Sequence, residues 1–303
     1  MAAVHIPDGF LSTPVWATLD VTAAPVVGYL ARRAQRGFDE AKVPLLGVMG
    51  AFVFAAQMIN FPVGIGTSGH LVGAALLAYT LGPASAAIVM SAILATQALV
   101  FQDGGILALG ANVLNMAVMG VAAGYLPFYL GSAGRWRKFS IFAGGTFSVL
   151  VSALLALSEL LISGVRMPAS VLGVSLALFA VSAVIEGAIT LAVVQALEHI
   201  RPGFVGNPAR SSWGPGAIGL AAVLLAAVGV LFASTAPDGI QNLAIQTGIA
   251  ARARVLLSTP FAGYQAAFFE SAWLRKGAAG LAGLVLIAGA CLLIGRAARN
   301  RSV

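Results

Sequence analysis

Long apolar segments separated by polar connections restrict this chain to one kind of fold. The nine apolar runs are residues 14–31, 43–62, 70–82, 84–101, 106–130, 139–161, 169–197, 215–234 and 277–295. Most are long enough to cross about 30 Å of hydrocarbon as an α-helix. A charged fraction of only 9% excludes an ordinary soluble domain, in which about 25% of residues are charged. We therefore expect an all-α fold, a polytopic transmembrane helical bundle with about nine spans.

The positions of the basic residues predict how this bundle is oriented. Lys and Arg are enriched in the cytoplasmic connections of membrane proteins. With nine spans, one side carries 12 of the 17 basic residues: Arg32, Arg33, Arg36, Lys42, Arg135, Arg137, Lys138, Arg201, Arg210, Arg296, Arg299 and Arg301. Most of the others lie in or beside a long loop, where charges count least. We therefore expect a multi-pass protein of the cell (inner) membrane, in contact with lipid, with its N-terminus outside and its C-terminus in the cytoplasm.

The spacing of the apolar runs divides the chain into two units. Residues 1–205 hold seven closely spaced runs, and a polar connector follows them. Residues 206–303 hold two runs joined by an outer loop at about 235–275. The pattern predicts a seven-span membrane domain followed by a two-span accessory domain. The short run at 70–82 is expected to be a tilted or partly re-entrant segment packed within the protein.

Two of the three histidines stand out as candidate metal ligands. His70 ends a small, Gly-rich loop, residues 64–69, where two apolar segments meet. An imidazole at membrane depth is costly unless it faces a partner or a cavity, which favours a functional role. His5 lies close to the N-terminus, and the predicted orientation places it on the same outer side as this loop. Two imidazoles near a chain terminus are what a small transition-metal site requires.

The N-terminus itself can supply further nitrogen ligands. A terminal amine, the next amide nitrogen and a histidine Nδ1 close five- and six-membered chelate rings when His is the second residue. A second imidazole completes four nitrogens in a plane, which favours Ni(II) or Cu(II) and also suits low-spin Co(II). His5 is the fifth residue of the sequence. We expect the functional N-terminus at Val4, read as an initiating Met from a GTG codon, so that the amine lies one residue before His5.

Three stretches carry a family resemblance. They are His5-Ile6-Pro7-Asp8-Gly9-Phe10-Leu11; Ala55-Ala56-Gln57-Met58 through Asn60-Phe61-Pro62 to Gly66-Thr67-Ser68-Gly69-His70-Leu71; and Asp103-Gly104-Gly105 with Leu109-Gly110-Ala111-Asn112 and Asn115-Met116. They resemble signatures of the CbiM/NikM family, the substrate-binding membrane (S) components of energy-coupling-factor transporters for cobalt or nickel. The resemblance covers about residues 4–200. The tail, with Pro237-Asp238-Gly239-Ile240, is similar to the two-span N component that is fused in some members, although Ile240-Gln241 replaces the family's Leu-Glu pair.

The resemblance implies a ligand set, a cargo and partners. The ligands would be the terminal amine of Val4, the next backbone amide nitrogen, His5 and His70. The cargo would be Ni(II) or Co(II), transported as substrate without an organic cofactor, and the sequence does not separate the two metals. Energy would come from two cytoplasmic ATPase subunits acting through a transmembrane coupling (T) subunit.

Polar residues around the two histidines are expected to orient the imidazoles. These residues are Gln57, Asn60, Thr67, Ser68, Asn112 and Asn115. Capping of helix ends, or bridging between helices for the last two, is the alternative role. Asp8 and Asp103 either attract cations or lie in solvated turns. Asp20, Glu159 and Glu186 are acids at or near membrane depth, which suits an ion path or hydrogen bonding between helices.

Missing motifs narrow the function further. The sequence has no Gly-x-x-x-x-Gly-Lys-Ser/Thr phosphate loop, no His-Glu-x-x-His pair and no Gly-x-Ser-x-Gly elbow. It has no basic patch interleaved with aromatic residues for nucleic acid. We therefore expect a transport protein and not an enzyme. The alternatives are a proton-coupled secondary metal transporter using Asp20, Glu159 and Glu186, and a membrane metalloenzyme with a Lewis-acid ion at His5 and His70. The first lacks an evident repeated half, and the second lacks an adjacent Glu.

Overall fold

A computed structural model describes residues 5–36, 43–64, 66–131, 134–205, 214–229 and 233–299. Its helices are α1 (Thr13–Gln35), α2 (Val43–Gln57), α3 (Ala74–Leu81), α4 (Pro83–Thr96), α5 (Leu109–Asn112), α6 (Val121–Gly131), α7 (Arg137–Ile162), α8 (Ala169–Ile200), α9 (Gly214–Ala227), α10 (Gly239–Thr247) and α11 (Ala272–Arg299). Two short strands, β1 (Phe61–Gly64) and β2 (Thr67–Gly69), lie between α2 and α3. The predicted helical, multi-pass fold is confirmed.

Five helical segments of the described chain are long and apolar enough to cross a membrane. They are Pro83–Phe101, Leu109–Gly131, Gly134–Ile162, Ala169–Ile200 and Ala272–Ala297. The other four apolar runs also contain helices: α1, α2, α3 and α9. Of these, α3 has only eight residues, all of them buried, so it lies inside the bundle. The count of nine spans stays a prediction.

Two of the long segments contain π-helical turns. Helix α4 continues as the π-helix Gln97–Phe101, and the π-helix Val113–Gly120 joins α5 to α6. Such turns are rare and often occur at functional sites. Gln102 follows the first of them with a φ of 55°, an uncommon conformation for a residue that is not Gly. The chain thereby leaves α4 sharply and enters the loop that contains Asp103.

Small residues set the close packing of the bundle. Helix α7 packs between α6 and α8, whereas α2 packs against α9 and α11. A Cβ atom at Gly124 would lie 2.8 Å from the Cβ of Ala75, and one at Gly145 would lie 2.9 Å from the Cα of Gly187. Close helix approach through glycine is typical of membrane bundles, where dispersion contacts and interhelical hydrogen bonds hold the helices together.

The all-α prediction is wrong at one place. The apolar run 43–62 is not one helix, because α2 ends at Gln57 and Phe61 and Pro62 belong to β1. Strands β1 and β2 pair antiparallel, with Phe61 opposite Gly69 and Pro62 opposite Ser68. Pro62 has no N–H for a helical hydrogen bond and disfavours helical geometry in the residue before it. The hairpin ends at Gly69, and the next residue, His70, lies in the interior of the protein.

The C-terminal unit shares the hydrophobic core of the first seven runs. Helices α9 and α11 pack on α2, and Ile240, Leu243 and Tyr264 belong to the same buried cluster as Phe54. Residues 206–213, where the predicted domain junction falls, lie outside the described residues. The division into two domains stays a prediction.

Candidate metal centre

The N-terminal segment, residues 5–8, is hydrogen-bonded to the loop that follows the π-helical end of α4 and to α5. Asn112 Oδ1 accepts a hydrogen bond from the Ile6 N–H at 2.8 Å, and Asn112 Nδ2 donates to the Ile6 carbonyl at 3.1 Å. The Gly105 N–H donates to the same carbonyl at 2.8 Å. The carboxylate of Asp8 accepts from the backbone N–H groups of residues 106–108 at 2.7 to 3.3 Å. Asp8 is therefore a buried turn-binding group, and the segment places His5 inside the protein.

Two glycines make this attachment possible. Gly104 has a φ of +90°, a conformation that glycine adopts without strain. A Cβ atom at Gly105 would lie 2.4 Å from Asp8 Oδ1 and 2.6 Å from the Asp8 nitrogen. Any side chain at position 105 would therefore push the N-terminal segment away from the loop.

His5 and His70 face each other in the interior. Their ring centroids are 6.0 Å apart, and the residues are only 3% and 2% exposed. The Nδ1 atom of His70 lies 2.6 Å from the Leu71 carbonyl oxygen, so Nδ1 carries the proton and Nε2 keeps its lone pair. His70 Nε2 and both ring nitrogens of His5 have no hydrogen-bond partner. Because buried polar atoms normally have partners, these nitrogens fit a bound cation.

The electrostatics of the pair favour a cation. Burial lowers the pKa of His70 to about 3, so this imidazole is neutral, the form that binds metal. Asp103 Oδ1 lies 3.4 Å from His5 Nδ1. The Asp103 side chain is buried, and its other oxygen, Oδ2, accepts a hydrogen bond from Tyr264 at 2.6 Å. A buried carboxylate therefore lies directly beside His5.

The separation of the two rings suits one shared ion. A metal–nitrogen bond of about 2 Å places the ion roughly 3 Å from a ring centroid, so two rings on one ion have centroids at most about 6.5 Å apart. Among the described residues, no group of three or more His, Cys, Asp or Glu side chains could hold a metal. The chelate hypothesis supplies the further ligands from backbone nitrogens. Val4, which would supply the amine, lies outside the described residues.

A chain of hydrogen bonds joins the backbone after His70 to the carboxylate beside His5. Gln57 Nε2 donates to the Val72 carbonyl at 2.8 Å, and Gln57 Oε1 accepts from Gln97 Nε2 at 2.9 Å. Gln97 Nε2 also donates to Tyr264 Oη at 3.0 Å, and Tyr264 donates to Asp103 Oδ2 at 2.6 Å. Gln57 thus acts on the backbone near the centre, without bonding either imidazole.

The hairpin residues predicted to orient the imidazoles contact the C-terminal unit instead. Ser68 Oγ donates to the Ala236 carbonyl at 2.7 Å, and Asn242 Nδ2 donates to Thr67 Oγ1 at 2.5 Å. The backbone oxygen of Asn60 also accepts a hydrogen bond from this unit. These contacts hold the hairpin that leads to His70.

Asn112 and Asn115 have different surroundings, although they are three residues apart. Asn112 binds the N-terminal segment, whereas Asn115 Nδ2 donates to Glu159 Oε2 at 2.8 Å. Asp20 Oδ1 similarly accepts from the Gly110 N–H at 2.7 Å. Glu159 and Asp20 therefore make hydrogen bonds between helices, which is one of the two roles that the sequence leaves open for them.

Glu186 holds the backbone immediately after His70. Its two carboxylate oxygens accept from the N–H groups of Val72 and Gly73, both at 2.8 Å. These groups lie at the N-terminus of α3, where backbone donors lack partners within the helix. Glu186 comes from the middle of α8 and is fully buried. It fixes the turn that orients His70.

A cavity of about 530 Å³ opens beside the centre. His5 and Asp103 line one side of it, and Asp238, Arg254 and Val255 from the C-terminal unit line the other. The Arg254 N–H also donates to the Asp8 carbonyl at 3.0 Å. The C-terminal unit therefore covers the N-terminal segment where His5 enters the interior.

Sequence reasoning missed Gln97 and Tyr264. Gln97 is a single amide within an apolar run, a signal that points to a buried hydrogen-bonding role. Tyr264 lies in a loop without periodic pattern, and its partners are more than 160 residues away, so no local signal identifies it.

Known proteins share both the sequence and the fold. The chain matches the family described as CbiM, cobalt uptake substrate-specific transmembrane region, over residues 5–204. A putative fused nickel transport protein NikMN of Archaeoglobus fulgidus is 36% identical over 258 residues, which cover 81% of this chain and 83% of that protein. The cobalt transport protein CbiM of Thermosediminibacter oceani is 32% identical over 210 residues, 65% of this chain and 84% of that protein.

The crystal structure of a truncated transition metal transporter is 35% identical, with a TM-score of 0.56, and the match covers 64% of this chain and 99% of that one. The family match includes both histidines, Asp103 and Asn112, whereas Tyr264 lies outside it. The chain therefore belongs to the CbiM family of substrate-specific membrane components of metal transporters, and it is a transport protein and not an enzyme.

Proposed function

We propose that the chain captures Ni(II) or Co(II) as the substrate-binding component of an energy-coupling-factor importer. The observation that carries this proposal is the pair of buried imidazoles, 6.0 Å apart, with nitrogens that lack hydrogen-bond partners. The terminal amine of a residue directly before His5 and the backbone amide nitrogen of His5 complete four nitrogen ligands. This ligand set suits both metals.

The metal is taken up at the outer face and released into the cytoplasm. The distribution of basic residues supports this orientation, because it places the N-terminus of the chain outside the cell (inner) membrane. The resemblance to energy-coupling-factor transporters implies that a transmembrane coupling subunit and two cytoplasmic ATPase subunits supply the energy. The sequence itself contains no phosphate loop. Relatives of this chain include proteins named as nickel and cobalt transport proteins, which supports this cargo.

Proton-coupled transport is the remaining alternative. It would use Asp20, Glu159 and Glu186 as proton carriers. Each of them accepts a hydrogen bond from a neighbouring segment, which favours a structural role.

Reconstitution in vesicles separates the two mechanisms. We expect nickel or cobalt uptake to require ATP together with the coupling and ATPase subunits, and to be absent in a His70→Ala variant. Uptake by the chain alone in response to a pH gradient would contradict the proposal and support proton coupling.

A further inference from the structure

A single peptide group connects Glu186 to the imidazole of His70. The carbonyl oxygen of this group, from Leu71, lies 2.6 Å from His70 Nδ1. Its N–H, from Val72, donates to Glu186 Oε2 at 2.8 Å. Because a carbonyl oxygen only accepts hydrogen bonds, the imidazole supplies the hydrogen from Nδ1. The carboxylate, the peptide group and the imidazole therefore form one continuous chain of hydrogen bonds.

The planarity of the peptide group makes this connection geometrically strict. The N–H and the C=O of one peptide group lie in one plane and cannot turn independently. Holding the Val72 N–H on Glu186 therefore also fixes the direction of the Leu71 carbonyl. The direction of that carbonyl in turn determines whether it can accept a hydrogen bond from His70 Nδ1.

The following peptide group holds Glu186 in place. Its N–H, from Gly73, donates to Glu186 Oε1 at 2.8 Å, and its carbonyl, from Val72, accepts from Gln57 Nε2 at 2.8 Å. Both oxygens of Glu186 are therefore acceptors, which suits an ionised carboxylate with no hydrogen to donate. Glu186 is fully buried, so water does not compete for these bonds.

Helix α8 lies directly against the backbone on both sides of His70. A Cβ atom at Gly69 would lie 2.8 Å from Ser182 Oγ. Ser182 lies four residues before Glu186, on the same face of the helix. A Cβ atom at Gly73 would lie 2.6 Å from Val53 Cγ1 of helix α2. The segment that contains His70 is therefore packed between α8 and α2.

We propose that Glu186 is a positioning residue of the metal centre, which selects the tautomer of His70 and raises metal affinity through the Leu71–Val72 peptide group. A hydrogen bond to a carboxylate is stronger than a neutral one, and it polarises the groups that follow it in the chain. The Leu71 carbonyl thereby becomes a stronger acceptor and keeps the hydrogen on Nδ1. The lone pair of His70 Nε2, which makes no hydrogen bond, is then left for the metal.

The inference rests on the proposed function, in which His70 is a ligand. Metal-binding imidazoles usually donate their other N–H to a carboxylate or a backbone carbonyl, and loss of such a partner typically costs about 10- to 100-fold in metal affinity. In this protein the carbonyl is the direct partner, and the carboxylate acts through it. Because the carbonyl remains when Glu186 is replaced, we expect the loss to be at the lower end, about 10-fold.

The test compares nickel binding by the full chain and by Glu186→Gln, purified in detergent. Glutamine keeps the shape of the side chain but removes its charge and leaves one acceptor oxygen for two N–H groups. Glu159→Gln is the matched control, because Glu159 is also a buried acid of a long helix but accepts from Asn115 Nδ2 at 2.8 Å. We expect nickel affinity to fall about 10-fold in Glu186→Gln and to stay unchanged in Glu159→Gln.

The tautomer of His70 separates this role from a merely structural one. The chain has three histidines, so ¹⁵N NMR of the imidazoles in metal-free protein can resolve each ring, with His70 assigned by its absence in His70→Gln. We expect the Nδ1–H tautomer of His70 in the unmodified chain and in Glu159→Gln. In Glu186→Gln a measurable fraction should change to the Nε2–H tautomer.

The outcomes distinguish the inference from the proposed function. Unchanged nickel affinity or an unchanged His70 tautomer in folded Glu186→Gln would overturn the inference, as would an Nε2–H tautomer of His70 in the unmodified chain. If Glu186→Gln does not fold, Glu186→Asp keeps the charge but withdraws it from the backbone, and unchanged affinity and tautomer in that variant would overturn the inference. Failure of the unmodified chain to bind nickel and cobalt would instead overturn the proposed function.

Discussion

Asn112 should control metal affinity without touching the metal. Its side chain makes both hydrogen bonds with Ile6, at 2.8 and 3.1 Å, and so holds the peptide next to His5. Asn112→Ala leaves the Ile6 N–H without its partner and removes one of two donors to the Ile6 carbonyl. We expect His5 to lose its fixed position opposite His70.

The size of the effect follows from the groups left unpaired. A buried backbone group without its partner costs about 1–3 kcal/mol, and about 2 kcal/mol corresponds to a roughly 30-fold loss of affinity. Asn115→Ala is the matched control, because Asn115 is equally buried but bonds Glu159. Asn115→Ala should lower thermal stability and leave metal affinity unchanged.

Equilibrium dialysis with nickel and with cobalt, on protein purified in detergent, measures both variants against the unmodified chain. Thermal unfolding of the metal-free proteins provides the stability control. Equal metal affinity in Asn112→Ala and Asn115→Ala would show that docking of the N-terminal segment does not set affinity, and the reasoning would fail.

Three further predictions follow from the same centre. Burial lowers the pKa of His70 from 6.5 to about 3. Between these two pH values only the unfolded chain binds a proton at His70, so the free energy of unfolding falls as pH decreases below 6.5. By pH 5 the free energy of unfolding is lower by about 2 kcal/mol. The metal-free His70→Gln variant should therefore show a smaller drop in Tm from pH 7 to pH 5 than the metal-free unmodified chain. An equal drop in both would refute the lowered pKa of His70. Glu186→Gln should lower Tm, because an amide has one acceptor oxygen for two backbone donors, and an unchanged Tm would show that the second bond contributes nothing. A chain whose amine lies one residue before His5 should bind nickel more tightly than one that begins Met-Ala-Ala-Val, and equal affinity and equal spectra would exclude the amine as a ligand.

The helical bundle was predictable because it depends on local properties. Apolar length alone places helices in all nine runs. The hairpin was not predictable in the same way, because Phe61 and Pro62 continue an apolar run. Their pairing with Ser68 and Gly69, and the bridge from Ser68 to Asp238, are decided by tertiary contacts.

The sequence alone singles out the two histidines as candidate ligands, but it does not identify most of the residues that hold them in place. His5 and His70 are conspicuous because imidazoles are rare and costly in an apolar chain. The roles of Asp103, Glu186 and Tyr264 depend on partners about 100 or more residues away along the chain. For Asp20, Glu159 and Glu186, ionic and structural roles have the same sequence pattern, so only the positions of their hydrogen-bond donors separate the two roles.

Direct metal binding by the unmodified chain and by His70→Ala tests the proposed centre most directly. The measurement is the affinity for nickel and for cobalt of both proteins in detergent, with thermal unfolding and size-exclusion chromatography as folding controls. Since one of about four ligand bonds is lost, we expect metal binding to disappear in His70→Ala while folding and membrane insertion are retained. Nickel and cobalt affinities in folded His70→Ala equal to those of the unmodified chain would contradict the existence of this site.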